Sequence, residues 1–375
     1  KLDAPVQALA GEGGAMNSEA RLADVRKRID TIDEEMLRLL SARATCAHEV
    51  ALIKLAGGDS QFYRPGREAE VLRRIKARNP GPLSGEAVAR LFREIMSACL
   101  ALEQPLAVAF LGPAGTFTQA AAVKQFGHAA HTVPVGSIGD VFREVEARSC
   151  HYGVVPVENS TEGVINHTLD MFMRSPLNIA GEVSLRIHHH LMSREPDLAA
   201  IQTLYSHQQS LAQCRGWLDR HLPLAERIAV DSNAEAARLA AGHPVAAAVA
   251  GEAAADIYDL AILERCIEDE PGNTTRFLVI GTEDARPSGD DKTSLLLSCH
   301  NEAGSLYGLL EPLAAHGISM TRIESRPSRR GLWDYVFFVD IEGHREDETV
   351  ALALGTLRRT ASLFRVLGSY PKAVI

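Results

Sequence analysis

Apolar positions along the chain change their spacing twice, and each change predicts a different kind of structure. Leu22, Val25, Ile29, Ile32, Met36 and Leu39 recur in steps of 3 and 4, and the register continues through Arg43, Cys46, Val50 and Ile53. A seam of this length predicts a long helix packed lengthwise on another. After a break at Gly57, Gly58 and Pro65, helices are predicted over about 67–78 and 84–104, the latter with Val88, Leu91, Ile95, Cys99 and Leu102 as its stripe. From 105 to 282 short apolar strands alternate with Ala-rich helices, an α/β pattern. The polar run Ala285-Arg-Pro-Ser-Gly-Asp-Asp291 reads as a linker, and 293–375 reads strand, helix, strand, strand, helix, strand.

Composition narrows the function. A chain of 375 residues predicts two or three domains, and a net charge of −9 without a basic run argues against nucleic acid. The six cysteines form no CxxC pair, and their scatter suits reduced thiols in the cytoplasm. No apolar run approaches the ~20 residues that cross a bilayer. The opening stretch lacks the pattern of a secretory signal; Met16 reads as an initiator and 1–17 as a flexible extension.

Arg43 occupies a seam position where an apolar residue is expected. Its stem could simply snorkel along the interface. The sharper reading is a guanidinium awaiting an anion, because an unpaired buried charge is costly. Lys54 lies 11 residues on and faces nearly the same way, roughly 16 Å along the axis. Arg67 opens the second helix and Glu103 closes the third, a set that suits a small dianion.

The run Val25-Arg-Lys-Arg-Ile-Asp-Thr-Ile-Asp33, with Arg43, Lys54 and Phe62-Tyr-Arg-Pro-Gly-Arg-Glu68, resembles the all-helical chorismate mutases, in particular those fused to prephenate dehydratase. The resemblance covers nearly the whole chain. It implies that Arg43 and Arg26 clamp the two substrate carboxylates, that Lys54 donates to the breaking ether oxygen, and that Arg67, or Arg64 in its place, completes the charge set. Arg26 and Arg43 are separated by 17 residues, about 26 Å along one helix, so both cannot serve one small substrate from one chain. A homodimer follows, or a tetramer built from two. Glu103 stands where some relatives carry a glutamine that donates to the ether oxygen; it is expected to be held protonated by burial, so that mutase activity falls as pH rises. Cys99 stands where some relatives carry a serine.

Leu106-Ala-Val-Ala-Phe-Leu111 leads into Gly112-Pro-Ala-Gly-Thr-Phe117, a strand, glycine-rich turn and helix start; it is neither a dinucleotide fingerprint nor a Walker loop. Gly153-Val-Val-Pro-Val-Glu-Asn-Ser-Thr-Glu-Gly163 is a strand followed by residues that cap helices by default. Both are similar to prephenate dehydratase motifs, as is Asn273-Thr-Thr-Arg-Phe277. The resemblance implies two α/β lobes like those of periplasmic binding proteins: lobe one over 105–183 and 263–282, lobe two over 184–262, in a domain spanning 105–284. It assigns Thr275 to the leaving hydroxyl, Arg276 to the active site or a carboxylate, and Phe277 to the ring. Thr116, Phe117, Glu158, Asn159, Ser160 and Thr161 would contact substrate, with His207 and Gln209 in the cleft. His188-His-His190 invites a metal, but strand neighbours point to opposite faces, so the triplet reads as a structural strand. No metal and no cofactor is expected.

The last segment resembles an ACT domain, an α+β ferredoxin-like module that binds amino acids, here over 293–375 after a linker at 285–292. Asn301, Gly304, Ser305 and Leu306 lie at a strand-to-helix turn, and Ile323-Glu-Ser-Arg-Pro-Ser328 is similar to the regulatory motif of phenylalanine-inhibited dehydratases. Glu324, Ser325, Arg326 and Pro327 are therefore expected at a phenylalanine site between paired modules. The expected whole is multidomain: an all-α mutase over 18–104, a two-lobed α/β dehydratase and the regulator. A binding protein without chemistry and an arogenate dehydratase remain open on the residues alone.

Overall fold

The computed structural model describes residues 15–58, 63–300, 302–328 and 335–374. The chain divides between Phe62 and Tyr63 into two compact units. The first is dominated by one helix, α1 (Ala15–Ala56), about 63 Å long. Its seam forms as the spacing predicts, yet Leu22, Val25, Ile29, Ile32, Met36 and Leu39 are each between 45% and 58% exposed. The stripe is made and left uncovered.

The second unit opens with α2 (Pro65–Arg78) and α3 (Gly85–Glu103). Pro65 sits at the start of α2, where its missing N–H is harmless, and Ser84 caps α3 by accepting from the Ala87 N–H. The stripe expected on α3 is only partly its buried face, with Val88 and Ile95 half-buried. Leu91 and Leu102 are 57% and 64% exposed, while Ala89, Arg93, Ser97 and Cys99 are buried. Arg93 explains the turn: it pairs with Glu68 at 3.0 Å and donates to the Lys124 carbonyl at 2.8 Å. Burial raises the Glu68 pKa, and Arg93 opposes that rise.

The α/β region begins with β1 (Ala107–Leu111), α4 (Phe117–Phe126), β2 (His131–Val135), α5 (Ile138–Glu146), β3 (Tyr152–Asn159), β4 (Gly163–Val164), α6 (Asn166–Phe172) and β5 (Asn178–Arg186). The chain then crosses to a second sheet of β6 (His190–Ser193), β7 (Thr203–His207), β8 (Glu226–Val230), β9 (Ala246–Ala250) and β10 (Ala261–Glu264). Helices α7 (Gln208–Gln213), α8 (Arg215–His221), α9 (Asn233–Ala241) and α10 (Glu252–Tyr258) connect those strands. It returns as β11 (Thr274–Gly281), which inserts between β3 and β5, so the first sheet runs β2-β1-β3-β11-β5 and the second β10-β6-β9-β7-β8. Only His190 of the histidine triplet belongs to a strand; Ile187, His188 and His189 form the crossover, which corrects the single strand expected there.

The last module is β12 (Asp291–Ser298), α11 (Ser305–Ala315), β13 (Met320–Pro327), β14 (Tyr335–Glu342), α12 (Glu348–Thr360) and β15 (Leu363–Pro371), with sheet order β13-β14-β12-β15. Its two faces are both covered. Leu295 and Leu297 point to α11 and α12, whereas Leu296, Phe338, Leu367 and Tyr370 join the core of α5, α6, β5 and β11. Gly368 permits this, since a Cβ there would collide with the backbone of Ile179 on β5. Nor does the segment expected to link the domains swing free: Ala285 is buried, Arg73 donates to Ser288, and Asp291 already belongs to β12.

The same interface holds a charged network. Arg276 on β11 pairs with Glu182 at 2.9 Å and Asp340 at 2.6 Å and donates to the Tyr370 hydroxyl at 3.0 Å. Lys292 reaches Glu182 at 2.9 Å, so two cations meet two carboxylates. Burial works against the Arg276 charge, but Tyr370, Asp340 and Glu182 outweigh it and hold its pKa above the ordinary arginine value. Removing one partner of such a set strands the others. Arg276→Ala is expected to lose about 3–5 kcal/mol, read as a lower urea midpoint; unfolding at the wild-type midpoint would show that the network carries no stability.

Candidate active site

Strands β3 and β11 pair antiparallel and set Thr275 opposite Asn159. The Asn159 Nδ2 donates to Thr275 Oγ1 at 2.8 Å and to Asn273 Oδ1 at 2.7 Å. Its Oδ1 accepts from the Thr161 and Glu162 N–H groups at 3.0 Å each, and from Thr161 Oγ1 at 2.6 Å. The oxygen of the amide is thus fixed by the turn that ends β3, and its nitrogen by Thr275 of β11 and the adjacent Asn273. The bond to Thr275 uses a lone pair of the hydroxyl, which leaves its proton for another acceptor. Ser160 braces the pair, its Oγ accepting from the Thr274 N–H at 3.0 Å.

The second lobe reaches this cluster through Gln213 at the end of α7. Its Nε2 donates to Thr161 Oγ1 at 3.2 Å, and its Oε1 accepts from Asn273 Nδ2 at 3.1 Å and lies 2.8 Å from His189 Nε2. Across the lobes, Tyr258 donates to the Ala114 carbonyl at 2.8 Å, and the Phe117 ring stands edge-on to His189 at 5.8 Å. A cavity of about 560 Å³ lies between Gly112, Pro113 and Thr116 on one lobe and Asp231, Ser232 and Glu235 on the other. Thr116 lines it while capping α4, accepting from the Gln119 N–H at 3.4 Å. His207 caps α7 by accepting from the Gln209 N–H at 3.4 Å, and Gln209 itself is exposed.

Asn159, Ser160, Thr161 and Thr275 therefore come together, and Asn273, Gln213 and His189 join them. Three expected contacts do not. Arg276 follows Thr275 in a strand, so it faces away from it and into the regulatory module. Phe277 is 1% exposed in the core with Val108, Phe126 and Val154, and is not available to a ring in a cleft. Glu158 pairs with Arg322 of β13 at 3.0 Å rather than with a substrate position. Asn273 stood inside a motif whose chemistry was assigned to its neighbours; Gln213 carried no signal, since its partners are distant in sequence.

On β13 the side chains of Arg322, Glu324 and Arg326 are half-buried, while Ile323, Ser325 and Pro327 are exposed. Arg326 pairs with Asp170 of α6 at 2.8 Å, so the strand is tied to the first lobe twice. Gly304 holds φ +85° before α11, a conformation that suits glycine, and Ser305 and Leu306 open that helix. Asn301 lies outside the described residues.

Of the mutase set, Arg26 is exposed on α1, and Arg43 and Lys54 are half-buried on the same helix. Arg64 precedes α2, and Arg67 pairs with Glu70 at 2.7 Å on its outer face. Cys99 is buried in α3. Glu103, the last residue of α3, is half-buried.

Fold and site together define a multidomain enzyme: a helical segment, a two-lobed α/β domain with a polar cluster around the buried Thr275, and an ACT-type module braced against it. Family models match in that order: chorismate mutase type II over 25–104, prephenate dehydratase over 108–285 and the ACT domain over 293–359. The bifunctional chorismate mutase/prephenate dehydratase of Pseudomonas aeruginosa is 54% identical, covering 96% of this chain and 100% of the relative. The structure of prephenate dehydratase from Arthrobacter aurescens in complex with L-Phe is 33% identical at TM-score 0.66, over 71% of this chain and 90% of that one. GqqA, described as a novel type of quorum-quenching acylase, is 29% identical at TM-score 0.66, over 72% of this chain and 98% of that one. The chain belongs to the family of bifunctional chorismate mutase/prephenate dehydratases.

Burial holds the His189 imidazole below its ordinary pKa, against the opposing pulls of Gln213 and Glu268. The folded state therefore binds fewer protons than the unfolded chain. Stability complete above about pH 6.5 is lost as pH falls toward the lowered value. Thermal midpoints measured from pH 8 to 5 should fall more steeply in the wild type than in His189→Asn; parallel curves would remove His189 from the titration.

Proposed function

We propose that the chain rearranges chorismate to prephenate at a site completed by a second copy, and then decarboxylates and dehydrates prephenate to phenylpyruvate at the Thr275 cluster. The rearrangement is pericyclic and requires no nucleophile. It is assisted by holding the reactive conformer and placing positive charge at the breaking ether oxygen. Arg43 and Lys54 serve from one chain, and Arg26, some 26 Å away on the same helix, serves the partner's site. The uncovered seam of α1 and the exposed Leu91 and Leu102 of α3 support a partner copy.

In the second step the ring carboxylate leaves as CO2, its electron pair enters the ring, and the C4 hydroxyl departs as water after gaining one proton. The observation that carries this reading is the Asn159–Thr275 bond, which fixes the threonine oxygen while sparing its proton for the departing oxygen. GqqA shows that a similar fold can serve other chemistry, which makes the assay decisive. Supplied with chorismate, the protein should form phenylpyruvate, detected by its ultraviolet absorbance. Thr275→Ala should lower dehydratase turnover about 100-fold or more and spare the mutase; Arg43→Ala should do the reverse. Equal loss of both in either variant would refute separate sites, and faster turnover of arogenate than prephenate would reassign the substrate.

Phenylalanine at the ACT module is the regulatory part of the proposal. Arg322 of β13 grips Glu158, the residue before Asn159, so a ligand favouring one position of β13 acts beside the cluster. Saturating phenylalanine should lower dehydratase activity and raise the thermal midpoint; an unmoved midpoint would argue against a site there.

A further inference from the structure

The two crossovers between the lobes run side by side. The Ile187 N–H donates to the Asn273 carbonyl at 2.8 Å and the Ile267 N–H to the His189 carbonyl at 2.9 Å. At this hinge three side chains from the two crossovers converge: His188 on the outgoing strand of chain, Cys266 and Glu268 on the returning one. Their ligand atoms all lie within 4.8 Å of one another. Nδ1 of His188 is 3.6 Å from Cys266 Sγ and 2.8 Å from Glu268 Oε1.

We propose that His188, Cys266 and Glu268 form a binding site for a thiophilic divalent cation of the zinc type, clamping the lobe hinge. Tetrahedral zinc with Zn–S about 2.3 Å and Zn–N about 2.05 Å places sulfur and nitrogen about 3.6 Å apart, matching the separation already present. The surroundings hold the ligands in place. Cys266 adopts φ +55°, a left-handed conformation rare for a side chain of its kind. It is secured there by its N–H donating to His190 Nδ1 at 3.1 Å. Glu268, its side chain 6% exposed, takes the His189 N–H on Oε2 at 3.0 Å and presents Oε1 to His188. Each histidine of the triplet thus has a part: one ligand and two that orient the other ligands. Cys266 is exposed and the His188 side chain is 39% exposed, which gives an ion a way in. Binding takes the thiol as thiolate and releases its proton; His188 offers Nδ1 with its own proton on Nε2. The ion's fourth position faces solvent.

Cobalt(II), whose thiolate charge-transfer and tetrahedral ligand-field bands report the donor set, is the probe. Full-length protein stripped with chelator should bind one equivalent, show both bands, release the cobalt to Zn²⁺, and keep it against excess Mg²⁺. Cys266→Gly removes the thiol at a backbone position that suits glycine, so the chain should stay folded, lose the charge-transfer band and bind at least 10-fold more weakly. His188→Asn should weaken binding similarly. With zinc bound, exchange of the Ile187 and Ile267 amide protons should slow in the wild type alone. Absence of a one-equivalent charge-transfer band, or a band that survives in both variants, would overturn the site.

Discussion

Strand β11 is the last piece of the first sheet in sequence yet lies inside it, between β3 and β5, and the two-residue period of a strand decides what it can do there. Thr275 faces the cluster at the end of β3; Arg276, one residue on, must face the other way, into the regulatory module. Phe277 and Val279 then fill the core against α4. The polar cluster, the buried charge network and the hydrophobic core are thereby placed by one backbone. A shift of register by one residue would exchange all three.

The ACT module is a structural part of the first lobe as well as a domain of its own. One face of its sheet carries its own helices, and the other completes the core of the first lobe, with Leu296, Phe338 and Tyr370 among α5 and α6 residues. Ion pairs from Arg322 and Arg326 add two further ties. Both pairs are partly buried, so their Coulomb attraction is offset by the desolvation of the charges. Their value is positional: Arg322 joins β13 to Glu158, which precedes Asn159, and Arg326 joins it to Asp170 of α6.

Much of this was readable beforehand, and the failures have physical causes. The heptad seam of α1, the alternation of strands and helices, and the βαββαβ order of the last module follow from local periodicity and appear as expected. The grouping of Asn159 to Thr161 with Thr275 followed from motifs of a known family. The carboxylates that Arg276 holds are the protein's own, Glu182 and Asp340, which lie far away in sequence, and a motif does not say which face a residue takes. On α3 the buried face is turned from the apolar stripe toward Arg93, whose charge is compensated by Glu68 and the Lys124 carbonyl, a compensation no periodicity reveals. The histidine triplet was judged on the alternation of a strand that in fact starts only at His190.

The bare stripe along α1 has a bearing on how the two activities survive dilution. Helices of this kind hold together through what covers them, and a cover supplied by another molecule is lost as protein concentration falls. The threonine cluster, by contrast, is assembled wholly within one polypeptide. On the proposed two-copy mutase site, a thin solution of this enzyme would retain its second chemistry after its first had faded, and the intermediate supplied from outside would still be consumed.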